Sequence, residues 1–243
     1  MRSRLAGTAR LYARYGAKVV IADSQDDLGS TVRDSINNLS HNDAVSFVHC
    51  DVTEESEVQN AVDFAVEKHG KLNVTFNNAG TTGTLTPTIL DVNRADFNKV
   101  FDDYDPGGEG QHPVLVELRL GGPWRRAVRL QGIETHALVG LTKNLCVELG
   151  QYGIRDNRIS PFGVVTPMLC KAMGMEKEAV EEVVSATVNL KEATVMAEDV
   201  AEAAVFLGSD ESKYVSGMNI VIDGGYSVTN PVLRENMTKY FGN

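Results

Sequence analysis

The sequence has few cysteines and little positive charge, and each shortage excludes a class of function. Its three cysteines are odd in number and lack the spacing of metal ligands. This disfavours a disulfide framework and favours a reducing compartment, the cytoplasm. The formal net charge of -10 argues against nucleic acid as a partner, because phosphates bind a basic surface. Since no apolar run is long enough to predict a membrane span, we expect no membrane association.

Two common kinds of catalytic site also lack their residues. The Gly-x-Ser-x-Gly turn of many hydrolases is absent, and Ser160 has no acid–base partner nearby in the sequence. The five histidines do not occur in pairs with the spacing of metal ligands; they are His41, His49, His69, His112 and His136. We therefore predict neither a metal site nor a hydrolase.

The first part of the chain alternates apolar, strand-like segments with helix-like ones. Segments 18–23, 45–52 and 72–76 have the composition of buried strands, and helical patterns separate them. This order predicts a doubly wound, mostly parallel α/β sheet in a single domain over residues 1–243. Ligands of such sheets bind at the carboxyl ends of the strands. The polar or small residues at these ends are Asp23, Asp51 and the turn Asn77–Gly80.

Residues 1–18 are basic and contain no acidic residue. That composition is also typical of an organelle transit peptide. We favour an amphipathic helix, because apolar side chains recur at helical spacing and Gly16 suits a helix end. The apolar side chains concerned are Leu5, Ala9, Tyr12 and Ala13.

Apolar residues recur with helical or strand periodicity through most of the remaining chain. Helices are predicted over 58–69, 137–149, 175–190 and 197–207, and a last strand is predicted over 219–223. Asp156 lies within the strand-like run 154–159 and is unexpected there, because a buried strand favours apolar residues.

Several segments, in the family's order and over a chain of the right length, resemble the short-chain dehydrogenase/reductases. The resemblance covers about residues 9 to 102 and 136 to 231, and it is nearest to plant members similar to secoisolariciresinol dehydrogenase. The segments that carry it are 18–23, Cys50–Val52, Asn77–Gly80, 160–167 and Tyr214–Gly225.

The resemblance implies a nicotinamide cofactor in a Rossmann-type crevice. Asp23 matches the acidic residue that, in the family, accepts hydrogen bonds from the adenosine ribose, and this favours NAD over NADP. The alternative interpretation of Asp23 is a solvated acid at a strand end. The loop after the strand near Ser160 matches the one that contacts the nicotinamide amide in the family; the alternative interpretation is a plain turn bounded by prolines. The other implied cofactor contacts are Asp51 and Val52 beside the adenine, Asn78, Ala79 and Gly80 on the adenosine side, and Val164 and Thr166 in that loop.

The implied activity is oxidation of a secondary alcohol of a small plant-type metabolite to a ketone, by a homo-oligomer with a small-molecule alcohol or ketone as substrate. The catalytic residues of the family are not matched. Gln131 stands at the place of its tyrosine and Thr135 at the place of its lysine, and Tyr104 lies near the place of its asparagine. We therefore assign no catalytic residue, and the alternative is a catalytically inactive homologue that at most assembles with intact relatives.

Two segments depart from the family altogether. Only Gly7 is left where the family has a glycine-rich phosphate turn, and no strand precedes it. Segment 103–134 is rich in Gly, Pro and Arg and lacks a sustained period. We favour a change of reading frame, later restored, over a genuine loop insertion.

These departures predict a disrupted sheet. We expect no strand between 102 and 136, and direct pairing of segments 18–23 and 72–76 or unpaired backbone groups between them. Because buried unpaired groups cost about 1 to 3 kcal/mol each, we also expect the chain to pack loosely.

Overall fold

The computed structural model describes residues 4–40, 43–79, 128–130 and 136–228 of the chain. Helices and strands alternate along it, as the sequence predicts. The helices are α1 (Arg4–Arg14), α2 (Asp26–Ser40), α3 (Glu55–His69), α4 (His136–Gly150), α5 (Pro167–Met173), α6 (Lys177–Thr187) and α7 (Ala197–Gly208). The strands are β1 (Val19–Asp23), β2 (Val45–His49), β3 (Phe76–Asn77), β4 (Val128–Leu130), β5 (Arg158–Pro161) and β6 (Asn219–Ile222).

The strands form two parallel sheets. One is two-stranded, with β1 beside β2, and the other is four-stranded in the order β3-β4-β5-β6. Every strand pair in the described residues is parallel. Parallel pairs joined by helical crossovers confirm the α/β class and place all carboxyl strand ends of a sheet at one edge.

The basic N-terminal segment is a helix, so that interpretation is confirmed. Its buried side chains recur every three or four residues and form one apolar face. That face is made by Ala6, Ala9, Tyr12 and Ala13, with Leu11 also buried.

Helix α1 packs into both apolar clusters of the molecule. The first cluster contains Tyr12, Val74, Ile159, Val164, Ala197, Val200, Ala204 and Leu207. The second contains Ala9, Ala13, Ile21, Ile36, Ala44 and Val45. Val19 of β1 packs against both clusters. The hydroxyl of Tyr12 is buried and donates a hydrogen bond of 2.8 Å to the carbonyl of Ala204 in α7. Helix α1 therefore connects the two sheets.

The expectation of no strand between 102 and 136 is wrong, because β4 lies there. Its backbone pairs on one side with β3 and on the other with β5, which satisfies the ladder groups of both neighbours. Of the two alternatives predicted for 18–23 and 72–76, direct pairing is not found in the described residues, since β1 pairs with β2 and β3 with β4 in separate sheets. The remainder of segment 103–134 lies outside the described residues, and the expected loose packing stays a prediction.

Several element boundaries differ from prediction. The strand predicted over 45–52 ends at His49, and that over 72–76 is replaced by the short β3 at 76–77. The helix predicted over 175–190 is confined to α6, because Val188 already has an extended backbone (φ -80°, ψ 157°).

A buried polar run precedes and enters β5, and Asp156 belongs to it. Asp156 is 0% exposed and lies before the strand, where its carbonyl accepts a hydrogen bond of 2.7 Å from the amide of Gly217. The carbonyl of Val215 accepts from the guanidinium of Arg155 at 2.9 Å and from the side-chain amide of Asn157 at 2.8 Å. The segment Tyr214–Gly217 therefore holds this polar run in place.

We predict that Tyr12→Phe loosens α1. Removing the hydroxyl eliminates one buried hydrogen bond, worth about 1 kcal/mol. Amide hydrogen exchange in α1 should then be about fivefold faster. Tyr15→Phe is the matched control, because Tyr15 lies just beyond the same helix and is 67% exposed. Equal exchange rates in both variants would contradict the role given to the Tyr12 hydroxyl.

Candidate functional site

The carboxyl edge of the two-stranded sheet brings two predicted site residues together. Asp23 ends β1 and lies opposite His49, which ends β2. The amide of Cys50 donates a hydrogen bond of 3.1 Å to the carbonyl of Asp23. Asp51 therefore follows at the same edge as Asp23, where the parallel arrangement of their strands predicted it.

The Asp23 carboxylate is held in a tight turn but keeps one oxygen open. Its Oδ1 accepts hydrogen bonds from the backbone amide of Gln25 at 2.9 Å and from the Gln25 side chain at 3.3 Å. Within the described residues, no donor reaches Oδ2. This geometry fixes the direction of the carboxylate and leaves one acceptor for a ligand hydroxyl.

Asp51 is fixed on both its side chain and its backbone. Its Oδ1 accepts from the amide of Thr53 at 3.0 Å and from the Thr53 hydroxyl at 2.8 Å. These two bonds to the charged form hold the pKa of the Asp51 carboxyl below its ordinary value. The backbone amide of Asp51 donates to Oε2 of Glu57 in α3 at 2.7 Å. Val52 projects next to it and is 51% exposed, so its apolar surface is available to a flat ring.

Sequence reasoning missed the charged cluster around His49. The ring Nδ1 lies 2.7 Å from Oδ1 of Asp26, and Nε2 lies 3.5 Å from Oε2 of Glu57. The hydrogen bond with Asp26, followed by the charges of Asp26, Glu57 and Asp51, raises the pKa of His49 above its ordinary value. Because these residues come from three separate segments, no spacing in the sequence could reveal the cluster.

Cys50 lies at this edge but is not a reactive thiol. Burial raises the pKa of the Cys50 thiol to about 11, and the charges of Glu57, Asp51 and Asp23 act in the same direction. A thiol with this pKa carries almost no thiolate at neutral pH, and the thiolate is the nucleophile. The edge therefore offers binding groups and no cysteine nucleophile.

The remaining predicted residues belong to the four-stranded sheet. Asn78 and Ala79 directly follow β3, with Asn78 half-buried and Ala79 exposed, and the predicted Gly80 lies outside the described residues. Val164 and Thr166 lie in the loop after β5. Since β3, β4 and β5 are parallel neighbours, both groups lie at the carboxyl edge of this sheet.

The loop after β5 is fixed by local structure. Thr166 begins α5: its hydroxyl accepts from the amide of Leu169 at 3.3 Å, and Pro167 follows at the first helical position. Gly163 has a φ of 62°, and a Cβ there would lie 2.6 Å from Cγ1 of Val184. Only glycine therefore allows this bend against α6. These contacts agree with the plain-turn interpretation, while the predicted nicotinamide contact stays a prediction.

An aromatic pair adjoins the same loop and was not predicted. The rings of Phe162 and Tyr226 stack with centroids 3.9 Å apart and planes 12° from parallel. The pair joins the end of β5 to the turn after β6. No pattern in the sequence connects the two positions, because they are far apart in the chain.

The described residues offer groups that fit the adenosine end of a dinucleotide. The open Asp23 oxygen and the exposed Val52 suit a ribose hydroxyl and an adenine ring. Gly7 lies inside α1, where a Cβ would be 3.6 Å from the carbonyl of Ala197 in α7, so this glycine serves helix packing.

Two features are absent from the described part of the chain. Its acidic, cysteine and histidine side chains form no group of three or more that could hold a metal ion. None of its helices combines the length and apolar character needed to cross a membrane.

The family model described as "Enoyl-(Acyl carrier protein) reductase" matches residues 6–103 and 127–227. The match resumes at 127, earlier than the predicted 136, and so includes β4 and the positions of Gln131 and Thr135. Those two residues lie outside the described structure. Segment 104–126 remains unmatched.

Plant proteins resemble the chain over most of its length. "Short chain aldehyde dehydrogenase 1" of Euphorbia lathyris is 47% identical, with 96% of this chain and 88% of that protein aligned. Secoisolariciresinol dehydrogenase of Forsythia intermedia is 42% identical, with 93% of this chain and 86% of that protein aligned.

A solved structure shares the fold. The crystal structure of carveol dehydrogenase from Mycobacterium avium in complex with NAD superposes with a TM-score of 0.74 at 22% identity, over 94% of this chain and 95% of that one. With the family model and the plant relatives, this completes the assignment: the chain belongs to the short-chain dehydrogenase/reductase family.

Proposed function

We propose that this protein binds NAD and descends from dehydrogenases that oxidise a secondary alcohol of a small plant metabolite to a ketone. The observation that carries the proposal is the shared strand edge, where Asp23 keeps one carboxylate oxygen open beside the fixed Asp51. Relatives with 40% identity or more include dehydrogenases named for secoisolariciresinol and borneol, which supports a small hydroxylated substrate.

The cofactor preference follows from charge. A carboxylate accepts hydrogen bonds from a free ribose hydroxyl and repels a phosphate at the same position. Asp23 would therefore hold the adenosine ribose of NAD and disfavour NADP. Carveol dehydrogenase, which shares the fold and was solved in complex with NAD, agrees with this choice. When bound, NAD would supply the hydride acceptor.

The chain's own residues do not complete the acid–base chemistry. Oxidising an alcohol requires a group that removes its proton, and efficient groups have a pKa near the working pH. At the positions of the family's tyrosine and lysine, the Gln131 amide does not titrate in water and the Thr135 hydroxyl carries no positive charge. We therefore propose that turnover is impaired. The second candidate, an inactive homologue that assembles with intact relatives, rests on the same two residues.

The substrate side of the site is proposed to lie at the loop after β5. Val164 is 7% exposed and belongs to the first apolar cluster, and the stacked Phe162 and Tyr226 give this loop an aromatic wall. Such a wall suits an apolar ring system with few hydroxyl groups. A cytoplasmic location and a homo-oligomeric state remain predictions.

We predict that NAD binds more tightly than NADP, because the Asp23 carboxylate repels the 2′-phosphate. Calorimetric titration of both cofactors measures the ratio. Asp23→Asn should reduce the preference for NAD about fivefold, since one partly exposed charge contributes about 1 kcal/mol. Asp43→Asn is the control, because Asp43 is exposed and lies before the opposite end of β2. Tighter binding of NADP by the unaltered chain would overturn the role of Asp23.

We predict no detectable NADH formation from a panel of secondary alcohols. The family's tyrosine and lysine act as a unit, so the loss of both leaves no partial activity to detect. Turnover that disappears in Tyr152→Phe or Lys143→Ala would contradict this and indicate a relocated catalytic pair. Tyr214→Phe is the matched control, because Tyr214 is fully exposed.

A further inference from the structure

We propose that His49 is a positioning residue for the nucleotide, a positively charged tie that joins α2 to α3 and fixes Asp51 at the binding edge. The inference deepens the proposed function and rests on it for the cofactor. Its structural part, the tie itself, is visible in the protein without cofactor.

Both ring nitrogens of His49 face carboxylate oxygens. Asp26 lies 2.7 Å from Nδ1, and Glu57 lies 3.5 Å from Nε2. A carboxylate only accepts hydrogen bonds, and a neutral imidazole has only one N–H. In the neutral ring, a nitrogen lone pair would therefore face a carboxylate. The geometry fits the imidazolium, which donates from Nδ1 to Asp26 and places its positive charge near Glu57.

The tie reaches the predicted adenine contact through Glu57. The Oε2 atom that lies near His49 also accepts from the backbone amide of Asp51 at 2.7 Å. Glu57 is thus held between an imidazolium and a backbone N–H. On the other side, Asp26 begins α2, so His49 attaches the start of that helix to the end of β2. Movement of Glu57 would release the Asp51 amide.

The charge of His49 also matters to an anionic ligand. The charged groups that face its ring are Asp26 from α2, Glu57 from α3 and Asp51 from the segment after β2. All of these are acids, and a dinucleotide carries a negative pyrophosphate. Without the imidazolium, the three groups that face the ring present only negative charge to the ligand. Neutral His49 should therefore weaken NAD binding and release Glu57.

The direction of the pH dependence follows from the pKa. Because the pKa of His49 is raised in the folded protein, the tie is fully formed below the ordinary histidine pKa and is lost as the pH rises through the raised value. NAD affinity should therefore fall over the same pH interval. The ring is about half exposed, so solvent screens the effect and limits its size.

The first measurement is an NMR titration of the histidine ring signals without cofactor. The His49 pKa should lie above the ordinary value and fall in Asp26→Asn. Asp34→Asn is the matched control, since Asp34 lies on the same helix and pairs with Arg33 instead. His69 serves as an internal reference, because burial lowers its pKa. An ordinary or lowered His49 pKa would overturn the inference and leave the proposed cofactor site intact.

The second measurement is NAD titration at about pH 6 and about pH 9. We expect affinity to fall about two- to fivefold between them in the unaltered chain, the range of an exposed ion pair. His49→Gln should bind at both pH values as the unaltered chain does at high pH. His49→Lys, which keeps the positive charge through this range, should bind as the unaltered chain does at low pH.

Each outcome decides a separate point. A pH dependence that persists in His49→Gln would overturn the role of His49. Failure of His49→Lys to restore binding, with its NMR spectrum otherwise unchanged, would overturn the part assigned to charge. Absence of NAD binding at every pH would overturn the proposed function, and with it the link to the cofactor, whatever the His49 titration shows.

Discussion

The packing of α1 against α7 is the contact on which the rest of the structure depends. The described strands form two separate sheets with no backbone ladder between them. Their connection is made by side chains: the α1 face enters both apolar clusters, and the Tyr12 hydroxyl bonds the carbonyl of Ala204. The two carboxyl edges belong to different sheets, so their relative position depends on the packing of this helix, and of Val19, against both clusters.

The sequence predicted elements whose signal is local. Strand β1 and helix α7 were located almost to the residue, because a compact apolar run and a sustained helical period need no partner to be recognised. Strand β4 was missed because it is three residues long, includes Arg129 and lies in a Gly- and Pro-rich segment. Its strand state depends on pairing with β3 and β5. The end of α6 at Thr187 was missed too, since Val188 fits a helical apolar pattern.

In the candidate site, too, the sequence predicted some features and missed others. Asp23 and Asp51 could be assigned to one edge from sequence, because parallel strands bring their carboxyl ends together. The contacts that orient these groups could not be assigned. Glu57 reads as an ordinary acid in the first turn of α3, and its bond to the Asp51 amide depends on how α3 packs. The stacking of Phe162 on Tyr226 likewise needs β5 and β6 to be neighbours.

The buried thiol of Cys50 has a consequence for the durability of the protein. Burial and three neighbouring carboxylates keep it protonated, so alkylating reagents and peroxide, which attack the thiolate, react slowly with it while β1 and β2 remain paired. The backbone amide of the same residue donates the hydrogen bond to the carbonyl of Asp23 at the carboxyl end of the two strands. Separation of the two strands would uncover the sulfur and remove that bond in one event. Alkylation of Cys50, measured by mass spectrometry, would therefore report separation of β1 and β2 at this edge.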